Sequence, residues 1–249
     1  MDDCVLEDNH RGAKVEGGAV AEITNTVFHG NTAQHRSVPP EEVSYMNGGG
    51  LAVSNSARAV VSNCYFVGNA GVEGGAVHIL EAGEGTKIVN CVFAENNGEI
   101  NELGGGVFVR QTLLDIYNCT FNNNMADYPS GHALFAWDQS DVLLKNCIVW
   151  GAIGSQLEAG ATSTIVRDHS CVKGENCFDA GDPAVAPSFV DPTDPLNDGL
   201  RLLSGTSCID NGEDPGSVFV VVDDEGLPID LAGDSRIQGP GIDRGSYEQ

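Results

Sequence analysis

Asn90-Cys91-Val92-Phe93-Ala94-Glu95-Asn96 decides the fold, because the chain says it again and again. Earlier copies read Asp3-Cys4-Val5-Leu6-Glu7-Asp8-Asn9, Asn25-Thr26-Val27-Phe28-His29-Gly30-Asn31 and Asn63-Cys64-Tyr65-Phe66-Val67-Gly68-Asn69. Later ones are Asn118-Cys119-Thr120-Phe121-Asn122-Asn123-Asn124 and a shortened Asn146-Cys147-Ile148-Val149. Matching positions lie 22, 38, 27, 28 and 28 residues apart, the longest step carrying an insertion around Ser37 to Tyr45. Self-similarity at such a period marks a stack of identical supersecondary units.

A second phrase alternates with the first: Gly17-Gly18-Ala19-Val20, Gly48-Gly49-Gly50-Leu51, Gly74-Gly75-Ala76-Val77, Gly104-Gly105-Gly106-Val107 and Gly131-His132-Ala133-Leu134. Each leads into short runs with period-two alternation, such as Lys87-Ile88-Val89 and Leu113-Leu114-Asp115-Ile116-Tyr117, separated by Gly and Asn turns. These are strand and turn signals without helical periodicity. One coil cannot bury its own inward side chains. Coils therefore stack ~4.8 Å apart with their strands paired in parallel, which puts like residues above one another.

That stacking predicts several columns. Phe28, Phe66, Phe93 and Phe121 form an interior stack flanked by Leu6 and Val149, and Cys4, Cys64, Cys91, Cys119 and Cys147 form a second line of buried thiols. Asn9, Asn31, Asn69, Asn96 and Asn124 form a ladder of side-chain amides, and the glycine pairs mark a corner of positive φ or no side-chain room. With Val20, Leu51, Val77, Val107 and Leu134 facing in, the next column, Ala21, Ala52, His78, Phe108 and Phe135, faces out. The outward column after it is Ile23, Ser54, Leu80, Arg110 and Trp137.

Composition narrows the partners. The chain has 249 residues, with 12 Lys and Arg against 36 Asp and Glu, a formal charge of −24. Such a chain lacks the cations that neutralise nucleic-acid phosphates or anionic membranes. Hydrophobic residues are 41% and aromatics 6%, so the core is built from small aliphatics, and 32 glycines fit a turn-rich solenoid. No apolar run reaches the ~20 residues that span a bilayer, and no membrane insertion is expected.

On these repeats the chain resembles a right-handed parallel β-helix, an all-β fold of about six coils here. The Gly-Gly-Ala-Val and Cys-x-Phe-x-x-Asn phrases are similar to repeats of polymorphic outer-membrane-type and other bacterial surface proteins. The likeness covers residues 1–180; residues 181–249 are expected to be an irregular, β-rich cap packed on the helix. Within that segment Ala186 to Pro192, Leu200 to Gly212, Asp230 to Arg236 and Gly241 to Glu248 resemble the closing region of secreted bacterial choice-of-anchor Q proteins. A cap of this kind blocks the open β edge of a last coil. The resemblance implies an extracellular or cell-surface location. Because Asp3-Cys4 already lies inside a repeat, with no cap or secretory signal before it, the chain is expected to be a monomeric piece of a longer protein.

Cys171 and Cys177, separated by five residues in a Gly-containing loop, are the expected disulfide, with Cys208 left over. No Cys-x-x-Cys or paired-His spacing suggests zinc. A structural Ca2+ could use the acids of Asp191 to Asp198 or Asp223-Asp224-Glu225. The candidate ligand face gathers His78, Phe108, Arg110, Phe135, Trp137 and Asp138, aromatic surfaces beside polar groups that suit sugar rings. Three readings stay open: residues 180–249 cover this face, an extracellular glycan occupies it, or another surface partner does. The function expected is a carbohydrate-binding, adhesive or structural module without a recognisable catalytic cluster. The competing expectation is a polysaccharide lyase or glycoside hydrolase working at His78, Arg110 and Asp138.

Overall fold

The computed structural model describes residues 1–33, 47–98, 103–151, 154–173 and 186–206, with shorter pieces at 208–209, 212–213, 221–222, 228–235 and 242–247. Three long parallel sheets and a short fourth wind around one apolar interior. The first sheet has seven strands, from Val5–Glu7 through Tyr65–Val67, Val92–Ala94 and Thr120–Asn122 to Cys171–Val172. The second has six, including Ala13–Glu16, Leu51–Ser54, Val77–Leu80, Val107–Arg110, Ser130–Trp137 and Ser155–Ala159. The third also has six and includes Val20–Thr24, Arg58–Ser62, Asp141–Lys145 and Thr164–Asp168. A fourth sheet of four two-residue strands, such as Asn97–Gly98 and Met125–Ala126, lies between the first and second in the middle coils.

Register follows the repeat. Leu6, Phe28, Phe66, Phe93, Phe121 and Val149 pair in succession, and Val172 continues the column. The four phenylalanine rings are fully buried and stack nearly parallel, with centroids 4.6, 5.0 and 4.6 Å apart. Offset aromatic stacking at coil spacing thus reinforces the hydrophobic burial.

The amide ladder forms as well. From Asn9 through Asn96, each Nδ2 and each backbone N–H donates to the Oδ1 of the next coil's Asn, as from Asn69 to Asn96 at 3.0 and 2.9 Å. The second Nδ2 hydrogen goes back to a phenylalanine-column carbonyl, Asn96 to Phe66 at 2.8 Å. For Asn31, Asn69 and Asn96 the backbone N–H and both Nδ2 hydrogens are thus satisfied, which is what permits these polar side chains to run buried along the coil wall.

The cysteine line is broader than its thiols. At the corner between the third and first sheets an Asn takes positive φ, 52° at Asn63, Asn90 and Asn118. The residue after it donates back to the carbonyl two positions earlier: Cys64 to Ser62 at 3.1 Å, Cys91 to Val89 at 3.2 Å. Thr26 and Ser170 make the same bond, to Thr24 at 2.7 Å and Asp168 at 3.0 Å. Thr26 stands in the ladder between Cys4 and Cys64, since Val27 N–H bonds the Cys4 carbonyl and Tyr65 N–H bonds that of Thr26. The thiols are thus small weak donors in a buried niche, not merely apolar filling. Cys4, Cys64, Cys91, Cys119 and Cys147 are thiols outside any disulfide and Cys171 is disulfide-bonded, while Cys177 lies outside the described residues.

One alignment is corrected. Gly17-Gly18-Ala19-Val20 is not the counterpart of Gly48-Gly49-Gly50-Leu51. It sits one corner later, beside Asn55 and Ser56, with Gly18 N–H bonding the Asn55 carbonyl at 3.0 Å. All four residues have positive φ there. The residues in register with Gly49-Gly50 are Arg11-Gly12, and a Cβ on Gly12 would lie 2.3 Å from the Gly50 carbonyl oxygen. The outward columns therefore begin with Lys14 and Glu16; Ala21 and Ile23 belong to the third sheet opposite Ala59 and Val61. Left-handed backbone selects glycine at both corners, at Gly17 and Gly18 in one and at Gly48, Gly74, Gly104 and Gly131 in the other, where close approach at Gly49 and Gly50 adds a second reason, so the dipeptide alone does not say which corner it makes.

The described C-terminal residues pack on the outer face of the first sheet. Phe189, Leu200, Leu202, Cys208 and Tyr247 join Val67, Val92, Ala94 and Ile148 in a second apolar cluster. Tyr65 donates to Asp198 at 3.0 Å and lies 3.0 Å from the Tyr247 hydroxyl, and burial pushes both phenols up. Ser246 N–H bonds Thr120 at 3.0 Å, and Asn90 Nδ2 bonds the Ile229 carbonyl at 2.8 Å. The segment therefore supplies side chains and backbone groups to one face of the solenoid, and that face is not the one carrying Trp137.

Candidate functional site

The outer face of the second sheet carries the aromatic column. Strand pairing places Ala52, His78, Phe108 and Phe135 in line, and beside them Ser54, Leu80, Arg110 and Trp137. His78 stacks on Phe108 at 5.5 Å and 4°, and Phe108 on Phe135 at 6.1 Å and 22°. Phe135 in turn meets Trp137 at 5.9 Å and Tyr128 edge-on at 6.1 Å.

Three of the six expected ligand residues are not surface. His78, Phe108 and Phe135 are 4%, 1% and 3% exposed. Ring-on-ring stacking at the coil repeat hides the faces of each, and the corner backbone lies against their stems, Gly104 beside Phe108 and Gly131 beside Phe135. The His78 ring is engaged besides: its Nε2 lies 3.2 Å from Asn47 Nδ2 and 3.3 Å from Glu73 Oε2. Buried in that way they support a surface and do not form one. The competing catalytic trio also comes apart, because His78 turns to Asn47 and Glu73 whereas Arg110 turns to Asp138.

What remains open is Trp137, 45% exposed, and Tyr128, 47% exposed. Trp137 ends its strand at the register position next to Gly160, whose N–H bonds the Ala136 carbonyl at 2.8 Å. A Cβ on Gly160 would come within 2.5 Å of the indole Cε3, so the missing side chain is what lets the ring lie along the last coil. Beside it the Arg110 guanidinium grips Asp138 Oδ2 through Nε at 3.1 Å and Nη2 at 3.0 Å. A flat aromatic body flanked by a fixed donor–acceptor pair can take the apolar face of a ring while bonding its polar rim. Sequence reasoning missed Tyr128 and Gly160. The signal for Tyr128 was an aromatic in the Asp127-Tyr128-Pro129 bend just before a strand; Gly160 carried none.

Elsewhere, Asp168, His169 and Glu213 bring ligand-type atoms within 4.8 Å of one another. A cation is already built in: Lys145 Nζ lies 3.1 Å from Asp168 and 2.5 Å from Glu213. Burial works to raise Asp168, but hydrogen bonds from His169 and Lys145 outweigh it and hold the carboxyl below its usual range. The hydrogen bond to Glu213 holds Lys145 above its own. With Asn146, whose amide exchanges bonds with the Glu213 backbone at 2.7 and 2.9 Å, this network ties the C-terminal segment to the last coils. In the run Asp191 to Asp198, Asp191 caps Thr193, Asp194 accepts from Asn197 and Asp198 from Tyr65. Asp223, Asp224 and Glu225 lie outside the described residues.

The parallel coils, the phenylalanine stack and the amide ladder now have a family to match. The sequence model of the right handed beta helix region covers residues 1–171. This chain belongs to the right-handed β-helix family. No curated protein and no solved structure matches it. In a right-handed β-helix the interior is filled by the stacked columns, so ligand chemistry falls to the outer faces and turns. Among the described residues of this β-helix, one long outer face is taken by the C-terminal segment and another carries the Trp137 platform.

Proposed function

We propose that this β-helix is a module of a secreted or surface-attached bacterial protein and holds an extracellular carbohydrate on the outer face of its second sheet. The observation that carries this is Trp137, half exposed, seated over side-chain-free Gly160 and flanked by the Arg110–Asp138 pair. Sugar rings offer C–H faces to an indole and hydroxyls to a guanidinium and a carboxylate, so this combination recognises them without a deep cavity. The buried stack His78–Phe108–Phe135 serves as the rigid backing for the platform. Surface location is supported by the likeness of Leu200 to Gly212 and Gly241 to Glu248 to the closing region of choice-of-anchor Q proteins.

The test is an array of purified oligosaccharides and polysaccharides, read with and without Ca2+ for binding and for new reducing ends or unsaturated products. Binding that Trp137→Ala abolishes, without product, is the expected result. Binding unchanged by that substitution, or none at all, contradicts the proposal. Product formation would move the reading to a lyase or glycosidase.

A further inference from the structure

The carbohydrate reading leaves the class of glycan open, and charge decides it. We infer that the Trp137 platform selects neutral, hydroxyl-rich glycans and rejects polyuronates; this rests on the carbohydrate reading above. The whole chain carries −24, a field that a polyanion meets well before contact at low ionic strength. Among the described residues beside the indole Arg110 is the cation, and its guanidinium is already engaged by Asp138 through two nitrogens. A uronate carboxylate reaching Arg110 would have to displace Asp138 and then sit beside it, like charge against like charge. The groups around the indole point the same way. Glu158 pairs with Phe135 in the last strand, and Gln111, exposed at the turn that follows Arg110, offers an uncharged amide. Hydroxyls can donate to Asp138 and Glu158 and accept from Gln111, and nothing in that set calls for a charged ligand.

The neutral class also explains why an ion pair belongs there at all. Arg110 and Asp138 fix each other's rotamers, presenting a preorganised donor and acceptor beside a flat ring. A site meant for anions would leave the guanidinium fork free to take a carboxylate in bidentate fashion.

The experiment is affinity electrophoresis and fluorescence titration of the full chain with cellohexaose, mannohexaose and chitohexaose against polygalacturonate and alginate, at low and high salt. At least one neutral hexasaccharide should bind about tenfold tighter than either polyuronate at low salt, a gap of ~1.4 kcal/mol. The gap should narrow as salt screens the repulsion. Asp138→Asn, which frees Arg110, should strengthen polygalacturonate binding severalfold. A polyuronate that binds as well as every neutral probe, in a manner lost with Trp137→Ala, overturns the neutral class and leaves the carbohydrate reading standing. No Trp137-dependent binding of any probe overturns both. Circular dichroism of each variant separates lost binding from lost fold.

Discussion

Phe66 and Phe93 lie in adjacent coils with ring centroids 5.0 Å apart and planes within 2° of parallel. Neither ring is exposed, and each has a further phenylalanine on its other side, Phe28 and Phe121. The stack is thus continuous through the centre of the solenoid. Phe93→Ala removes a ring with aromatic neighbours above and below, so the coils cannot close over the gap without breaking register. The expected loss is about 3–5 kcal/mol by denaturant melts. A loss below ~1 kcal/mol would mean that the column is not the interior.

The amide ladder should be as sensitive, for a different reason. Asn96 Oδ1 accepts both the backbone N–H and the Nδ2 of Asn69, and Asn96 Nδ2 satisfies the Phe66 carbonyl. Asn96→Ala strands buried donors on Asn69, at about 1–3 kcal/mol for each group left unpaired. Amide hydrogen exchange is the direct readout: the Asn69 N–H should lose protection in the variant. Retained protection would contradict the ladder.

Thiol chemistry follows burial. Burial pushes the Cys64, Cys91 and Cys119 thiols well up, and no solvent reaches them. Cys4 is half-buried in the first coil. A thiolate reagent followed by peptide mass spectrometry should label Cys4 in the native protein and Cys64, Cys91, Cys119 and the equally buried Cys147 only on unfolding. Native labelling of Cys91 at the rate of Cys4 would contradict the placement.

Acid should loosen the C-terminal segment. Asp168 is held below its usual range by His169 and Lys145 despite its burial, so the folded form binds its proton more weakly than the unfolded form does. Its contribution is present above the unfolded carboxylate value of about 3.9 and fades as pH falls through the lower folded value. Trp150 packs in the cluster formed with that segment, so its emission in a Trp137→Phe background reports the docking. A transition centred below about pH 4 is expected, and Lys145→Met should raise its midpoint. A midpoint unmoved by that change would show that the Lys145 network does not hold the segment.

The period of the Asn-Cys-x-Phe phrase made the columns legible, because stacking converts sequence spacing directly into contact, as Leu6, Phe28 and Phe66 show. Glycine was less informative. Gly17-Gly18 and Gly48-Gly49 read alike but serve different corners, since left-handed backbone selects glycine at both and close approach adds to it at the second. Alternation told inside from outside correctly for Val77 and His78, yet it carries no information on whether an outward residue is covered. His78, Phe108 and Phe135 face outward and are buried; Trp137, one column on, is open. The C-terminal contacts of Tyr247 and Leu202 with Val92 and Ile148 were out of reach because that segment has no periodicity to project.

Trp137 and Trp150 are the two tryptophans of the chain, so Trp150→Phe leaves the platform indole as the sole tryptophan reporter. Titrating that variant with the neutral hexasaccharides while following emission is the most direct test of the carbohydrate platform. A saturable change in Trp137 emission, lost on adding Arg110→Ala or Asp138→Ala, is the result predicted. Emission that stays constant across every probe, or binding that proceeds without touching it, would contradict the platform.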